Sequence, residues 1–306
     1  MRRRDIKATF SIVAVDAETG EIGCAVQSRY FAVGNVVPWA RAGVGAVATQ
    51  AAGVAVSGPR ILDQLAGGLG PQEALAAVLA DDEGRETRQL GVVAADGSAA
   101  AHTGSECLAW AGHRVGPGYA VQGNILAGEA VVAEMERAFL ATGGALAERL
   151  VAALEAGQAA GGDVRGQQSA AVLVERLGAA AESREGLDRV CDLRVDDHME
   201  PIVELRRLLG IHLVWDALRR ATAHHAPGYY GDGVVLLAAA HERFGDDPVL
   251  LYDLACFESL AGRAADALAH VRRAIELDPG LRAAIAADSD FAALADDAEF
   301  RALVDG

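Results

Sequence analysis

The chain has 306 residues, a formal net charge of −16, 52% hydrophobic residues and 5% aromatic residues. This length allows one large or two medium domains with hydrophobic cores, and the composition excludes an intrinsically disordered chain. Because acidic residues outnumber basic ones and no basic stripe is present, a surface that follows the phosphates of nucleic acid is also excluded.

The chain begins with strands and then turns to a pair of helices. Three strands are predicted first, at residues 9–15, 21–28 and 43–50. In the first of them, both alternating faces are largely apolar, which is typical of a strand that is covered on both sides. Two amphipathic helices are predicted next, one after Pro59 and one beginning at Pro71, since proline is favoured in the first helical turn.

A second group of strands and helices follows. Strands are predicted over residues 89–94, 99–103, 107–111 and 118–122, and the first two form a hairpin across Asp96-Gly97. Helices are predicted at about 128–141, with Val131, Val132, Met135 and Phe139 facing inward, and at about 145–156; strands follow at 169–175 and 191–195. Helix pairs between groups of strands indicate outer helical layers around inner sheets. We therefore predict an α+β fold, a four-layer αββα sandwich over residues 1–213.

From Pro201 onward the pattern is helical only. Pro227-Gly228 indicates a linker, which we place at residues 214–231, before a second domain at 232–306. In this domain two helices carry small residues at Ala255, Ala267 and Ala274, and Asp278-Pro279 ends the second helix, as is typical of a tetratricopeptide repeat. We predict an all-α, tetratricopeptide-like domain, closed by a capping helix through Phe291, Leu294, Phe300 and Leu303.

The cysteines argue against a metal or redox centre. Cys24, Cys107, Cys191 and Cys256 are widely spaced and include no CxxC pair, which fits a reducing cytoplasm better than a disulfide scaffold.

The apolar run at residues 10–15 is too short for a signal peptide, and no stretch approaches the about 18 apolar residues of a membrane span. We predict a cytoplasmic protein without cofactor or metal, and without nucleic-acid or membrane partners.

Five blocks of the sequence together resemble one protein family. They are ATFSIVAVDAETGEIGCAVQSRYFAVGNVVPWARAGVGAVATQA, AAHTGS, VQGN, GDVRGQQSAA and DLRVDDH, in this order within residues 8–210. They resemble the DUF1028 family, which is grouped with the Ntn-hydrolase superfamily and whose members often end in a tetratricopeptide-like tail. The resemblance implies the αββα fold. It implies an activity with less force, because one fold hosts many functions.

The resemblance draws attention to Thr9, at the start of the first strand. Many family members begin at Met-Thr-Phe-Ser, so that removal of Met leaves an N-terminal threonine. Such a residue combines a hydroxyl nucleophile with an α-amine whose pKa of about 8 suits a base. Here residues 1–8 come first, and three alternatives stay open: a leader that is removed, a start codon assigned too early, or an internal β-branched strand residue.

A helper cation is the next requirement of such a site. Proteasome-type Ntn sites use a lysine to lower the pKa of the nucleophile, but the only lysine of this chain, Lys7, lies in the leader. Arg29, beside Ser28, is the best-placed substitute, with a surface ion pair as the competing interpretation. His102 is a second candidate, to orient substrate or donate to an oxyanion, and a buried structural histidine is the alternative.

Amide and charged side chains complete the candidate site. Gln122 and Asn124 suit an oxyanion hole, although an Asn-containing turn explains the same residues. Substrate-binding roles are predicted for Ser28, Gln50, Asp163, Arg165 and Gln168, with a loop salt bridge as the alternative for the charged pair. The run Asp196-Asp197-His198 is interpreted as the cap of the helix near Pro201 rather than as a metal site.

Three hypotheses on function follow. The leading one is an Ntn-type amidohydrolase that cleaves an amide bond of a small or peptide-like substrate, with Thr9 as nucleophile after leader removal. The second is a catalytically silent assembly or peptide-binding module that uses the helical tail, with a homodimer or a protein partner. The third is a hydrolase that depends on Ser28, although no GxSxG motif surrounds that residue.

Overall fold

The chain folds into two compact units that divide between Leu209 and Gly210. A computed structural model describes residues 9–181 and 186–305, so expectations that concern residues 1–8 lie outside the described residues. The first unit is a mixed α/β structure with antiparallel sheets, and the second is helical. Within the described parts of the chain, no helix combines the length and the apolar character that a membrane crossing requires.

Two antiparallel sheets form the centre of the first unit. Their strands are Thr9–Val15 (β1), Glu21–Ser28 (β2), Pro38–Arg41 (β3), Gly45–Ala51 (β4), Arg88–Ala94 (β5), Ala99–Thr103 (β6), Gly112–Gly116 (β7), Tyr119–Asn124 (β8), Ser169–Arg176 (β9) and Arg189–Val195 (β10). The six-stranded sheet has the order β10-β9-β2-β1-β8-β7, and the four-stranded sheet has the order β3-β4-β5-β6. β1 is therefore a central strand of the larger sheet.

Helices cover the face of each sheet that points away from the other sheet. Ser57–Ala66 (α1) and Pro71–Leu79 (α2) pack on the four-stranded sheet, while Ala130–Ala141 (α3) and Leu146–Ala159 (α4) pack on the six-stranded sheet. The inward residues predicted for α3 are confirmed, since the buried residues of this helix are Val131, Val132, Met135 and Phe139. These helices exclude water from the outer faces of both sheets.

An apolar cluster fills the space between the two sheets. It contains Val13 and Val15 of β1 together with Ala46 and Ala48 of β4. Phe10, of opposite parity in β1, instead approaches α4 near Gly157. Every residue of β1 is buried, which confirms the prediction of a strand covered on both sides.

Two strand predictions near the sheet edges are wrong. Residues 38–41 lie in the predicted loop before the third strand, but they form β3, an edge strand, where the missing N–H of Pro38 is tolerated. Residues 107–111 form no strand. The carbonyls of Leu108 and Trp110 in this segment accept hydrogen bonds, both 3.0 Å long, from the loop that follows β8, and β7 begins only afterwards.

The predicted linker at residues 214–231 is mostly helical. The helix Pro201–Thr222 (α5) continues through the division between the units, and Tyr230–Phe244 (α6) begins before the expected linker ends. Val214 and Leu218 lie in one apolar cluster with Leu237 of α6. Burial of these side chains explains why the segment is helical rather than extended.

The rest of the second unit consists of short helices. They are Pro248–Leu260 (α7), Ala264–Leu277 (α8), Arg282–Ala287 (α9) and Ala298–Asp305 (α10), with a 3-10 turn at Ser289–Leu294. The expected capping helix is thus broken into two pieces, the 3-10 turn and α10. Its apolar residues nevertheless reach one core, in which Phe291, Leu294 and Phe300 are buried and Leu303 is partly buried.

One carboxylate of the second unit lies in an unfavourable environment. Burial, and after it the negative charges of Asp288 and Asp290, raise the pKa of Asp253 on α7 to about 6. The folded state therefore binds more protons than the unfolded chain between about pH 4 and pH 6. The contribution of Asp253 to stability is present below this window and is lost as the pH rises through it.

We expect Asp253→Asn to stabilise the protein at pH 7.5, by about 1 to 3 kcal/mol, because the neutral amide removes the cost of a buried charge. At pH 4 the gain disappears, since the wild-type carboxyl is then protonated. Thermal unfolding at the two pH values measures the difference. Glu242→Gln, at an exposed position of α6, is the matched control. An equal gain at both pH values contradicts the prediction.

Candidate functional site

Four neighbouring strands of the six-stranded sheet carry a row of polar side chains along the edge that is formed by their ends. Thr9 of β1 pairs with Ser28 of β2 and with Asn124 of β8, and Ser28 pairs in turn with Ser169 of β9. Cross-strand partners point to the same face of a sheet. These four side chains are therefore neighbours, and all of them are buried.

A second and a third polar row lie next to the first. In the six-stranded sheet, Gln122 pairs with Ser11 on one side and with His113 on the other. In the four-stranded sheet, Gln89 pairs with Gln50 and with Thr103. Gln50, Thr103 and Ser11 are each two residues from an apolar residue between the sheets, namely Ala48, Ala101 and Val13, and alternate residues of a strand share one face. All three rows consequently face the space between the sheets.

Side-chain hydrogen bonds join the rows into one network. Gln122 Nε2 donates to Ser11 Oγ at 2.6 Å, and Ser11 Oγ donates to Gln50 Oε1 at 2.7 Å. Gln50 Nε2 and Asn124 Nδ2 both donate to Gln89 Oε1, at 2.9 Å each. Gln89 Nε2 donates in turn to the carbonyl of Gly123 at 2.8 Å. Gln50 and Gln89 each donate and accept within the network, which fixes the orientation of these two amide groups.

Thr9 lies at the border of this network. Its Oγ1 donates a hydrogen bond to Ser28 Oγ at 3.1 Å, and its carbonyl accepts one from Gln50 Nε2 at 3.3 Å. The hydroxyl is held in a fixed direction between β2 and β8, although the solvent does not reach it. The arrangement presents a positioned hydroxyl in neutral polar surroundings.

Two amide oxygens of the network have no hydrogen-bond donor among the described residues. They are Gln122 Oε1 and Asn124 Oδ1, both buried. A β-carbon placed on Gly91 would lie only 2.0 Å from Gln122 Oε1, so a larger residue there would displace this amide. Asn124 Oδ1 belongs to the same row as Thr9. A buried acceptor without a donor is costly, and such a group is satisfied when a ligand or water supplies an N–H or O–H.

Backbone strain is concentrated at this edge. Among the described residues, the non-glycine residues with positive φ are Ala32, Ala51 and Ile125, at 53°, 62° and 54°. Ala51 directly follows Gln50, Ile125 directly follows Asn124, and Ala32 lies in the loop after β2. Such conformations cost about 1–3 kcal/mol each and cluster at binding and catalytic sites. The strain therefore marks the same edge as the polar rows.

The charged loop beside Ser28 contains an internal salt bridge. The buried carboxylate of Asp163 accepts bonds from Nε and Nη2 of Arg165, at 3.1 and 2.9 Å, and from the backbone N–H of Arg29 at 3.2 Å. The backbone N–H of Gln168 donates to the Ser28 carbonyl at 3.1 Å. The loop therefore fixes the end of β2, and the salt bridge that we kept as an alternative is present.

Comparison with known proteins identifies the first unit. A family model described as "Family of unknown function (DUF1028)" matches residues 9–205. The chain belongs to the DUF1028 family. It is also similar to the crystal structure of protein SPO2555 from Silicibacter pomeroyi, a DUF1028 protein, with 35% identity and a TM-score of 0.60 over 66% of this chain and 88% of that one. No curated protein matches the chain.

The structure of this DUF1028 protein does not bring His102 to Thr9. His102 pairs with Leu90, whose side chain packs against α1 and α2, so it points to the helix side of the sheet. Its Nε2 contacts the carbonyl of Arg85 at 2.9 Å. The neighbouring Thr103 points the other way and shares a 2.8 Å hydrogen bond with His113 Nδ1. Burial, with a smaller effect of His102, lowers the pKa of His113 and keeps it neutral.

The sequence analysis did not identify four members of the polar rows and their hydrogen-bond network: Ser11, Gln89, Thr103 and His113. Ser11 and Thr103 had a usable signal, since Ser11 shares the strand face of Thr9 and Thr103 belongs to a family block. Gln89 and His113 had none, because their place depends on which residues pair across the sheets. The register of a strand depends on its neighbours in the folded sheet, and a shift by one residue sends every side chain to the opposite face.

Among the described residues of the second unit, one group has side-chain atoms that are close enough together to hold a metal ion. The ligand atoms of Cys256, Asp288 and Asp290 all lie within 4.8 Å of one another. Cys256 Sγ donates to Asp288 Oδ2 at 3.7 Å, and burial raises the pKa of this thiol far above its ordinary range. The thiol and the carboxylate therefore form a hydrogen-bonded pair in this cluster.

Proposed function

We propose that this DUF1028 protein is an Ntn-type amidohydrolase with Thr9 as its nucleophile. The observation that supports it is the buried, neutral polar network around the Thr9 hydroxyl, at the first residue of a central strand and between two sheets. The order of the layers, with α1 and α2 on one sheet and α3 and α4 on the other, fits the αββα sandwich of that superfamily.

The proposed reaction uses the α-amine that removal of residues 1–8 provides. This amine, directly or through a water, takes the proton of Thr9 Oγ1 as the oxygen attacks the amide carbonyl. The second N–H of Asn124 Nδ2 stabilises the oxyanion, because the first is committed to Gln89. The proton then passes to the leaving amine as the C–N bond breaks. Water cleaves the resulting ester and releases the acid.

Ser28 has a positioning role in this proposal. Its Oγ accepts the hydrogen bond from Thr9 Oγ1 at 3.1 Å and thereby sets the direction of the Thr9 lone pairs. The bond at 3.1 Å links the two hydroxyl groups side by side, so Thr9 keeps a defined rotamer before the reaction. The alternative in which Ser28 is itself the nucleophile is separated from this one by the variants described in the Discussion.

The helical unit supports a supplementary role in binding or packing. We propose that α7 and α8 form a tetratricopeptide-like pair, because Ala255, Ala267 and Ala274 are buried and Gly262 turns the chain with a φ of 75°. In the same unit, a cavity of about 310 Å³ is lined in part by Trp215 and Asp253. These features fit the hypothesis of a partner segment bound by the tail.

We expect protein isolated from its natural host to begin at Thr9 and to be acylated at Thr9 by a β-lactone probe. Intact mass, N-terminal sequencing and peptide mapping of the labelled protein measure both properties. The control is a chain with Thr9→Ala, which the probe leaves unlabelled. A protein that retains residues 1–8 and hydrolyses amides at full rate contradicts the proposal.

A further inference from the structure

Exposed apolar side chains surround the strained edge where the polar rows end. Leu108 and Val164 are 46% and 61% exposed, and Phe31, two residues after Arg29, is 62% exposed. The Ile125 N–H donates to the Leu108 carbonyl at 3.0 Å, and the Val164 N–H donates to the Ile125 carbonyl at 3.1 Å. Leu108 and Val164 thus flank the residue that directly follows Asn124.

Arg29 supplies a positive charge at the same edge. Its Nη1 donates to the backbone carbonyl of Gln167 at 3.3 Å, and among the described residues no carboxylate forms an ion pair with its guanidinium. The nearby Asp163 is instead paired with Arg165. Within residues 9–181 and 186–305, the surface ion pair that competed with a functional role for Arg29 is therefore absent, and we assign the charge to a ligand carboxylate.

The interior of the site has a different character. The side chains that contact one another around Thr9 are hydroxyls and amides, all of them uncharged. A neutral amide bond fits such surroundings, while a carboxylate placed there would be desolvated without a cation. Arg29 directly follows Ser28, whose Oγ accepts the hydrogen bond of Thr9 Oγ1, and the proposal therefore places the ligand carboxylate at the end of β2 that carries Thr9's partner.

From these three zones we infer that the substrate class is that of N-acyl amino acids. The carboxylate of the amino-acid half binds Arg29, the neutral amide faces Thr9, and the apolar acyl half lies against Phe31, Leu108 and Val164. This inference rests on the proposed function and specifies its substrate. Hydrolysis adds one water: the C–N bond breaks, a C–O bond forms, and a carboxylic acid and a free amino acid leave.

The experiment is calorimetric titration of the full chain carrying Thr9→Ala, which cannot turn the ligand over. Hexanoylglycine is the probe, and its methyl ester is the matched ligand without the charge. We expect the acid to bind about tenfold or more tightly than the ester, as a charge-assisted hydrogen bond predicts. Acetylglycine, which lacks most of the apolar acyl chain, binds more weakly than hexanoylglycine.

Variants of Arg29 then assign the charge. Arg29→Gln lowers the affinity for hexanoylglycine to that for the ester and leaves the ester unaffected, while Arg29→Lys restores part of the difference. Arg220→Gln, at an exposed arginine of α5, is the control for net charge and changes neither affinity. A folded Arg29→Gln protein, checked by its circular dichroism spectrum, keeps the comparison valid.

Several results overturn the inference: acid and ester bind equally, Arg29→Gln leaves binding of the acid unchanged, or no probe binds. Preference for N-hexylsuccinamate, whose carboxylate is in the acyl half, overturns the assignment of the two halves. Because binding is measured without turnover, it is independent of catalysis. Absence of hydrolysis by a wild-type protein that binds hexanoylglycine through Arg29 contradicts the proposed function but not this inference.

Discussion

We expect a Thr9→Ala protein to lose amide hydrolysis by at least about 10³-fold, because the variant lacks the attacking oxygen. Thr9→Ser retains a hydroxyl in the same place and keeps most of the activity. The fold survives, since the hydrogen bond from Thr9 Oγ1 to Ser28, worth about 1 kcal/mol, and a methyl group are small losses. Initial rates on N-acyl amino acids and peptide anilides, together with urea unfolding, measure both effects.

Ser28→Ala is the matched control for this result. It removes the hydroxyl that accepts the Thr9 hydrogen bond at 3.1 Å, and we expect about a tenfold loss of rate from poorer positioning. The two variants thus separate a nucleophile from its neighbour. If Ser28→Ala is inactive while Thr9→Ala hydrolyses substrate normally, the serine alternative holds and the Thr9 mechanism is wrong.

The second large effect concerns the stability of the network. Gln89 accepts hydrogen bonds from Gln50 and Asn124 and donates to Thr103 and to the carbonyl of Gly123. Gln89→Leu leaves these buried partners without their bonds, and we expect it to destabilise the protein by about 3–5 kcal/mol. Urea unfolding monitored by circular dichroism gives the free energy of unfolding of each protein.

Gln27→Leu is the matched substitution at a buried glutamine whose amide lies outside the hydrogen-bond network. It pairs with Phe10, so it faces the side of the sheet that α4 covers, and both polar atoms of its buried amide have no partner among the described residues. Gln27→Leu removes this unmet amide at similar volume, and we expect it to stabilise the protein by about 1–3 kcal/mol. Equal losses in the two leucine variants contradict the network.

The alternating pattern of each strand was readable from the sequence. It indicated that Thr9, Ser11, Val13 and Val15 share one face of the first strand, and this face is the one between the sheets. The helical stripes were readable for the same reason, because one face of each helix is apolar. Motif blocks also identified the DUF1028 family, which the match over residues 9–205 confirms.

The sequence did not show which residues pair across neighbouring strands. His102 and Thr103 stand side by side in a family block, and the register of β6 against β5 sends His102 to the helix side and Thr103 to the network. The prediction favoured His102 for its chemistry, and the structure placed His113 near the network instead. A shift by one residue reverses every side chain of a strand, and only pairing with a neighbour decides between the two states.

Thr9 illustrates what each level decided. By itself, the sequence determined a hydroxyl residue at the head of a doubly covered strand, since local alternation of apolar residues is sufficient to define that strand. The tertiary structure decided that Ser28, Asn124 and the amides of Gln50 and Gln89 meet around it. These residues come from four other strands, in both sheets, and only long-range strand pairing and sheet packing bring them together.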